Sequence, residues 1–491
     1  MKTKCFRLWL SAALIVLAFV APGRGQKHYK DLKYPKLHKL KIPDVKRVEL
    51  DNGIILFLVE DHEVPLINLS ARIGVGSIYD TPEKIGLGSI TGQVMRTGGT
   101  STMTGDEIDE ALESIAATVE TGIGLTSGHA SMSVLKEHLD KGLSILADVL
   151  MHPAFAEEKI HLAKIQSRSS ISRRNDNPHS ITFREYNKLI YGTGSVYARH
   201  TEYATIDAIT RDDLVFFHEQ FFHPDNVMIS IWGDFKTRTM IKKIEGIFDD
   251  WKAVGFKRPR VPEVDYTYDT SISLVRKEDI NQTHIMMGHI GGLRSNPDYF
   301  ALLVMNDILG GGFTGRLFKN VRSRMGLAYS VFGAYGANYD YPGTFYVGCQ
   351  TKAETTVEAL NAMRAEVEKM AREPVTDEEL AQAKESFLNS FVFNFDTKSE
   401  IVNRIMTYEY YGYPRDFLEK TKETIEKVSK EDVLRVARKY LQPDKLRILA
   451  VGNPENFDQS LSTLSDVREI DITIPSAEEE ASEAIESSLI R

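Results

Sequence analysis

The chain has 491 residues, of which 42% are hydrophobic and 26% are charged, a balance typical of globular proteins. This length is enough for two or more domains, each with its own hydrophobic core. The formal net charge is −9, and an acidic balance of this kind argues against a nucleic-acid-binding protein.

Residues 1–25 have the pattern of a secretory signal peptide. Basic residues precede the apolar stretch Leu8–Val20, which is too short to span a bilayer comfortably. The small residues Gly23 and Gly25 stand at the −3 and −1 positions of a cut before Gln26. The alternative is an uncleaved N-terminal anchor. No later apolar run approaches about 18 residues, so we expect a periplasmic or otherwise exported protein with no transmembrane segment after signal cleavage.

Cysteine usage excludes an intrachain disulfide in the mature protein. Cys5 lies in the predicted signal peptide, which leaves Cys349 alone. A large exported protein can be stable without disulfides because its core is large enough. Cys349 lies in the strand-like segment FYVGCQ and is expected to be a small, buried apolar residue.

The first half of the chain mixes strand-like and helix-like patterns. Two strands are predicted within Val45–Val75, with Asp51-Asn52-Gly53 as a hairpin turn between alternating apolar residues. The stretch Thr118–Val134 alternates like a second hairpin. Helical periodicity predicts helices over Ile85–Gly99, Thr104–Ala117, His138–Leu150 and Ala156–Arg174.

An internal repeat relates the two halves. Segments 210–233 and 429–452 each combine a capped helix, a Pro-Asp turn and a strand that ends in glycine. The copies align without a gap, and Pro224 and Pro443, for example, are 219 residues apart. This match indicates duplication and predicts two homologous α/β halves joined near segment 251–262.

The second half has its own strands and helices. Strands are predicted at Ile272–Val275 and His284–His289, and helices over Asp298–Leu309, Thr355–Arg372 and Thr376–Phe391. The last of these helices has Glu379 three residues after its capping Thr376, the pattern of a capping box. The residues from Ser476 onwards are acidic and poor in apolar side chains, so a disordered tail is expected.

The stretch Ile85–Gly99, IGLGSITGQVMRTGG, carries the motif that constrains function most. It resembles the signature helix of the pitrilysin/insulinase-type zinc peptidases, which contains the inverted zinc motif H-x-x-E-H. In that frame the two histidine positions fall on Ser89 and Gln93, and the glutamate position falls on Gly92. These residues supply neither strong zinc ligands nor a carboxylate base. The helix therefore resembles the family's signature helix but lacks the residues that bind zinc and activate water.

The third zinc ligand of the family is also missing. In the family it is a glutamate on a later helix, shortly before a D-x-P turn, and Asp176-Asn177-Pro178 matches that turn. The ligand position then falls on Ser170, or on Ser169 if the gap differs by one residue. No carboxylate occurs between Lys159 and Asn175. The resemblance therefore implies four degenerate metal positions, Ser89, Gly92, Gln93 and Ser170, and no zinc in this chain.

The segment His218-Glu-Gln-Phe-Phe-His223 looks like a zinc helix with one residue too many. Five residues rotate a helix by about 140° net, so the two imidazoles would not converge on one metal. Pro224 also follows directly, which places His223 near a helix end. We therefore do not expect metal binding here.

The second-half segment GGGFTGRLFKNVRSRMGLAYSV keeps another motif of the same family. It resembles G-G-x-x-S/T-x-R-L-f-x-x-[IV]-R-x-x-x-G-L-A-Y, in which an Arg/Tyr pair reaches toward the substrate near the zinc. Arg322 and Tyr329 stand at these two positions. A guanidinium can hold a peptide carbonyl or carboxylate, and a phenol can donate to the oxyanion formed when water attacks the scissile carbonyl. The alternative is a surface ion pair for Arg322 and a core position for Tyr329.

The same segment begins with a glycine run, Gly310, Gly311 and Gly312, followed by Phe313. It lacks the G-K-[ST] ending of a nucleotide loop and follows a predicted helix rather than a strand. It resembles the family's flexible loop, which implies that these four residues can contact peptide. A tight turn alone would also explain the glycines.

The resemblance covers nearly the whole mature chain and implies an α+β fold. Two homologous α/β-roll domains, each a mainly antiparallel sheet with helices on one face, would form a clamshell-like arrangement. The expected boundaries are 1–25 for the signal peptide, 40–252 for the N-terminal domain, 253–268 for the linker, 269–457 for the C-terminal domain and 458–491 for an acidic, partly disordered tail.

Two-chain members of the family divide the labour between a subunit with H-x-x-E-H and a subunit with the Arg/Tyr pair. The second pattern implies the non-catalytic subunit of an exported, heterodimeric zinc peptidase. It would bind unfolded peptides in extended form and complete the site of a homologous partner that supplies the zinc. The rival interpretation is a scaffold or peptide-binding protein without a peptidase partner. A metalloenzyme that uses other ligands is a third, less favoured interpretation.

Overall fold

The structure, a computed structural model, describes residues 44–269, 271–391, 393 and 397–475. The predicted signal peptide, residues 1–25, lies outside the described residues, as do residues 476–491 of the predicted tail. Within the described ranges, no helix combines the length and the apolar character that a membrane crossing requires.

The first half is built on a six-stranded sheet. Its strands are β1 (Lys46–Glu49), β2 (Ile55–Glu60), β3 (Leu66–Ile73), β4 (Thr118–Ile123), β5 (Gly128–Leu135) and β6 (Val227–Gly233), in the order β1-β2-β6-β3-β5-β4. β2 and β6 are parallel, and the other neighbours are antiparallel. The predicted turn joins β1 to β2, and Gly53 there has a φ of +90°, a conformation that favours glycine.

The helices of the first half are α1 (Leu87–Thr97), α2 (Gly105–Glu113), α3 (Leu139–Met151), α4 (Glu157–Ser172), α5 (Pro178–Tyr191), α6 (Tyr203–Asp207), α7 (Arg211–Phe221) and α8 (Thr237–Ile247). Capping boxes start three of them, because Thr104 pairs with Glu107 before α2, Glu202 with Thr205 before α6 and Thr210 with Asp213 before α7. The apolar faces of these helices, apart from α5, pack on one face of the sheet and form the larger core.

The second half repeats this sheet. Its strands are β7 (Ile272–Arg276), β8 (Gln282–Ile290), β10 (Ala328–Tyr335), β12 (Thr344–Lys352), β13 (Arg447–Gly452) and β14 (Val467–Glu469), in the order β10-β12-β8-β13-β7-β14, and the short strands β9 (Gly292–Leu293) and β11 (Ala337–Asn338) pair separately. The sequence assigns residues 458–475 to the acidic tail, whereas β14 pairs with β7 and Ile470 N donates to Leu274 O at 2.8 Å. This part of the tail therefore extends the second sheet.

The helices of the second half are α9 (Tyr299–Gly310), α10 (Thr356–Arg372), α11 (Asp377–Phe391), α12 (Lys398–Tyr410), α13 (Phe417–Lys427) and α14 (Lys430–Tyr440). A π-helix, Phe318–Arg324, lies between α9 and β10. The predicted box before α11 is present, since Thr376 N donates to Glu379 Oε2 at 2.8 Å and Glu379 N to Thr376 Oγ1 at 3.1 Å.

The structure confirms two homologous halves. α7 and α14 begin and end 219 residues apart, the interval found in the sequence. The two sheets also share a five-strand order, β2-β6-β3-β5-β4 in the first and β7-β13-β8-β12-β10 in the second. The α+β class and the mainly antiparallel sheets are therefore confirmed.

Each half contributes one helix to the sheet of the other half, which the sequence did not predict. α5 packs on the second sheet, where Tyr186 is buried and its hydroxyl donates to Phe345 O at 2.6 Å. α12 packs on the first sheet, where Val402 and Met406 are buried against Phe57. Helices thus cover both faces of each sheet rather than one.

Residues 253–268, the predicted linker, contain no helix or strand but are fixed by contacts with both halves. In the first half, Tyr79 OH donates to Pro259 O at 3.0 Å. In the second half, the Arg258 guanidinium lies 4.4 Å from the ring centroid of Tyr410. The linker and the exchanged helices together join the two halves firmly.

Candidate functional site

Helix α1 carries Ser89, Gly92 and Gln93, three of the four positions that the resemblance assigns to a degenerate metal site. Its apolar residues are buried, while Ser89 and Gln93, one turn apart, are both exposed. The helix begins against a buried carboxylate, because Gly86 N and Gly88 N each donate to Asp80 at 2.9 Å. Burial raises the pKa of Asp80 to about 6 despite these two hydrogen bonds.

The fourth position lies on a neighbouring helix. Gln93 Nε2 donates to Gln166 Oε1 on α4 at 2.8 Å, and Ser170, one turn further along α4, donates from Oγ to the Gln166 carbonyl at 3.0 Å. The structure thus places Gln93 against the helix that carries Ser170. Among the described residues, no group of three or more His, Cys, Asp or Glu side chains could hold a metal ion.

Gly92 is held where a side chain does not fit. A Cβ atom at this position would lie 2.4 Å from Ile123 N and 2.7 Å from the carbonyl carbon of Gly122, both in β4. Thr121 Oγ1 of the same strand donates to Gly92 O at 2.6 Å. Helix α1 therefore packs on the backbone of β4 through a glycine, and the carboxylate base of the family motif has no room here.

His218, the first histidine of the zinc-like segment, is a core residue. It is 9% exposed, and its Nε2 lies 2.9 Å from Leu150 O. Burial lowers the pKa of His218 to about 4, so the ring is neutral near pH 7. The segment thus has a structural role, in agreement with the helical geometry.

The second-half motif presents its Arg/Tyr pair at the surface. Arg322 lies in the π-helix, and its Nε donates to Tyr329 O at 2.7 Å. Tyr329 is 73% exposed and stands at a β-bulge, where the pairing of β10 with β12 shifts register between Ala328 and Ser330. Bulges of this kind redirect side chains beside active sites. Neither the core position nor the ion pair of the alternative interpretation occurs in the described residues.

Phe313 joins this pair through one further aromatic ring. Its ring makes a T-shaped contact of 4.9 Å with Phe318, and the Arg322 guanidinium lies 4.6 Å from the Phe318 ring centroid. Phe313 itself is 79% exposed. Phe313 and Tyr329 are exposed, and Phe318 and Arg322 are half-buried between them. These four residues form one aromatic and cationic patch, which we call the Tyr329 patch.

The glycine run Gly310–Gly312 precedes Phe313 and sets the backbone path that leads to this patch. Gly310 ends α9 against β10, because a Cβ on Gly310 would lie 2.7 Å from the Cα of Gly333. Gly312 has a φ of +61°, and no atom of the described residues lies within 4 Å of the place that a Cβ would take. Gly310 is thus required for close packing, and Gly312 for the turn that turns Phe313 outward.

An ion pair anchors the end of the glycine loop to α11. Arg316 is 6% exposed and forms two hydrogen bonds with Glu379, Nε to Oε1 at 2.7 Å and Nη2 to Oε2 at 2.9 Å. The hydrogen bond from Arg316 is the largest cause that lowers the pKa of Glu379 to about 2.

We expect Glu379→Gln to lower the free energy of unfolding at pH 7 by about 2 kcal/mol, the usual range for a hydrogen bond between charged groups. Because the pKa of Glu379 is lower in the folded state, its contribution is complete above the unfolded pKa near 4.5 and is lost as the pH falls toward about 2. The difference from wild type in urea unfolding should therefore shrink between pH 5 and pH 3. Glu378→Gln, an exposed neighbour, is the control, and an equal loss in both variants would contradict the assignment.

A cavity of about 840 Å³ lies where the two halves meet. One side is the turn Asn177-Pro178-His179, which starts α5, and the other is the second sheet with the β7–β8 turn 278–282. Gln350 of β12 lines the cavity and pairs in register with Ser330, the residue after Tyr329. The cavity therefore lies close to the Tyr329 patch along the sheet and close to α4 along the chain.

The sequence did not indicate the residues of this cavity. His284 of β8 and His179 have ring centroids 6.5 Å apart, and burial, with a smaller effect of His179, lowers the pKa of His284. The only signal was the D-x-P turn, since His179 follows Pro178 directly. The strands that bring His284 and Gln350 together lie far apart in the chain, so spacing could not reveal them.

Two family models match the chain. Residues 57–197 match "Insulinase (Peptidase family M16)", and residues 208–387 match "Peptidase M16 inactive domain". The insulinase match lies in the first half, and the inactive-domain match lies mainly in the second half. One match for each half agrees with the duplication.

Two bacterial relatives align with most of the chain. The uncharacterized zinc protease YmxG of Bacillus subtilis is 27% identical over 365 residues, which cover 73% of this chain and 87% of that protein. The non-peptidase homolog YmxG of Helicobacter pylori is 25% identical over 404 residues, which cover 80% of this chain and 90% of that protein. This chain therefore resembles both a relative named as a zinc protease and a relative named as a non-peptidase homolog.

Solved structures share the fold. A peptidase M16 inactive domain from Pseudomonas fluorescens superposes with a TM-score of 0.73 at 25% identity, covering 84% of this chain and 98% of that one. The periplasmic protease PqqL of Escherichia coli gives a TM-score of 0.71 at 12% identity, covering 88% of this chain and 48% of that one, which is a likeness of fold alone. The chain belongs to the insulinase family of peptidases, family M16.

Proposed function

We propose that this chain is the zinc-free subunit of an exported, two-chain peptidase. It binds unfolded peptides in extended form and completes the active site of a homologous subunit that carries the zinc. The observation that carries this proposal is the Tyr329 patch, where a guanidinium and a phenol are held at the surface. The phenol hydroxyl makes no hydrogen bond to the described residues, so it is available to another molecule.

The two groups have separate roles in the proposed site. The Tyr329 hydroxyl donates a hydrogen bond to the oxyanion that forms when the partner's zinc-activated water attacks the scissile carbonyl. Arg322 holds a carbonyl or carboxylate of the peptide, and its Nε also fixes the Tyr329 carbonyl at 2.7 Å. Export rests on the signal-peptide pattern of residues 1–25.

A scaffold or peptide-binding protein without a peptidase partner is the second candidate. The tight packing of Gly92 on β4 favours it, because the zinc helix has become a structural element. The name of the Helicobacter pylori relative, a non-peptidase homolog, agrees with this alternative. The two candidates differ in whether a zinc-bearing homologue accompanies the chain.

We expect the isolated chain to contain no stoichiometric zinc and to cleave no peptide, because the zinc positions hold no ligands. A complex purified from the native source should contain a second, homologous chain and about one zinc per pair. Metal analysis of both preparations, with mass spectrometry of the complex, checks this. One tightly held zinc in the isolated chain would contradict the proposal, and a native preparation without a homologous partner would favour the scaffold.

A further inference from the structure

Strand β10 forms a free edge of the second sheet. It pairs with β12 on one side, and no strand of the described residues pairs with its other side. We propose that an extended peptide binds to this edge as an added strand, through main-chain hydrogen bonds. The inference rests on the proposed function because it takes the partner to be a peptide, and it names the surface that holds the peptide backbone.

The backbone groups of every second residue of β10 point away from β12. Tyr335 lies opposite Phe345 in the register, but its N–H donates to Asn306 Oδ1 on α9 at 2.7 Å. Successive residues of an antiparallel strand point their N–H and C=O groups to opposite sides. Gly333 and Val331 therefore point the same way as Tyr335. Both are half-buried, and no described residue outside the sheet forms a hydrogen bond with their backbone groups.

This edge lacks the features that protect the other edges of the two large sheets. β1 carries Lys46, Arg47 and Glu49, β4 contains Glu120, and β14 has only three residues. β10 has eight residues, and its sequence AYSVFGAY contains neither a charged residue nor a proline. Charged side chains, prolines and short length are the usual means by which edge strands avoid pairing with another chain. Of the four edges, β10 is therefore the one that favours an added strand.

The length of the free stretch suits a peptide rather than a second copy of the chain. Residues 330–334 lie between two occupied backbone groups, Tyr329 O and Tyr335 N. At about 3.4 Å per residue, this stretch spans about 17 Å and holds a peptide of about five residues. It is too short to bury the roughly 1,200 Å² that a stable protein pair needs.

The position of the edge connects it with the Tyr329 patch. Tyr329 precedes the free stretch directly, so a peptide paired with β10 runs past the phenol and guanidinium that are proposed to act on the scissile carbonyl. Main-chain hydrogen bonds give affinity for any extended peptide, whereas side-chain contacts give sequence preference. The edge therefore selects unfolded peptides as a class and accepts varied sequences.

Binding of backbone-methylated peptides to the full chain, measured by fluorescence anisotropy, tests the proposal. The probe is a short labelled peptide of alanine, serine and valine. Two versions carry the same number of N-methyl groups, either at alternate residues or at neighbouring central residues. Alternate methylation leaves one edge of the peptide strand free for pairing, whereas neighbouring methylation blocks both edges. We expect the alternate version to bind within about twofold of the unmodified peptide, and the neighbouring version to bind about tenfold more weakly.

A variant of the chain tests the same hydrogen bonds from the other side. Val331→Pro removes an N–H that points away from β12, which edge strands tolerate. It should weaken binding of the unmodified peptide about fivefold, the usual effect of one lost hydrogen bond. The control is Lys46→Pro, at the first residue of the edge strand β1, which should leave binding unchanged.

Equal binding of the two methylated peptides, or no binding of any peptide, would overturn strand addition. Self-association of the chain that Val331→Pro abolishes in sedimentation would also overturn it, because the edge would then belong to a second copy. If Val331→Pro does not fold, the comparison of peptides decides alone. The measurement needs no zinc-bearing partner, so a missing partner overturns only the proposed function, and equal peptide binding overturns only the edge.

Discussion

Tyr329→Phe should reduce peptide turnover by the reconstituted pair about a hundred- to a thousandfold, the usual cost of losing one oxyanion donor. The substitution removes one hydroxyl and little volume at a position that is 73% exposed. The fold and the pairing of subunits should therefore be unchanged. Steady-state cleavage of an unfolded peptide, with thermal melts of the same preparations, measures both effects.

Arg322→Ala belongs to the same prediction but differs in its kinetics. It removes a charged anchor and also the hydrogen bond to the Tyr329 carbonyl, so both KM and kcat should be affected. Arg324→Ala in the same π-helix is the matched control. Full activity of the Arg322→Ala, Tyr329→Phe double variant would end the shared-site hypothesis.

Local signals in the sequence predict much of the fold. The hairpin at Asp51-Asn52-Gly53 and the box between Thr376 and Glu379 depend on neighbouring residues, and both occur in the structure. The repeat predicts two similar halves because the copies keep the same caps, turn and strand at a fixed interval. These features need no knowledge of tertiary packing.

Features that depend on distant partners could not be predicted in this way. An amphipathic helix such as α5 reveals that it has an apolar face but not which sheet will cover it, so the exchange of α5 and α12 was missed. Strand β14 is too short to stand out from its acidic surroundings and forms only because β7 offers an open edge.

The candidate site also combines features that local sequence predicts with features that depend on distant partners. The resemblance located Arg322 and Tyr329, but the bulge that exposes Tyr329 arises from the register between β10 and β12. The prediction that the four metal positions lack zinc ligands depends on residue types alone. The reason that Gly92 cannot simply regain a side chain lies in β4, which is about thirty residues further along the chain.

Gly92 gives the second large expected effect, now on stability. Gly92→Ala should lower the free energy of unfolding by about 2–3 kcal/mol, because its Cβ would lie 2.4 Å from a backbone nitrogen of β4 that cannot move alone. Gly92→Glu should cost about 4 kcal/mol or more, since it also buries a carboxylate without a partner. The control is Gly246→Ala in α8, where no atom of the described part of the chain lies within 4 Å of the new Cβ, and a small gain is expected.

The contact of Gly92 with β4 also limits any attempt to restore the zinc site. The zinc ligands can be replaced without disturbing this contact, but the catalytic base cannot. Ser89→His, Gln93→His and Ser170→Glu all fall on exposed positions, so the triple variant should melt close to wild type and should gain stability when zinc is added. Adding Gly92→Glu, the catalytic base, should lower the free energy of unfolding of the triple variant by the same amount, about 4 kcal/mol or more. Urea and thermal unfolding with and without zinc measure both steps. If the fourfold variant is as stable as the triple variant, α1 can move away from β4, and the steric account of the lost base is wrong.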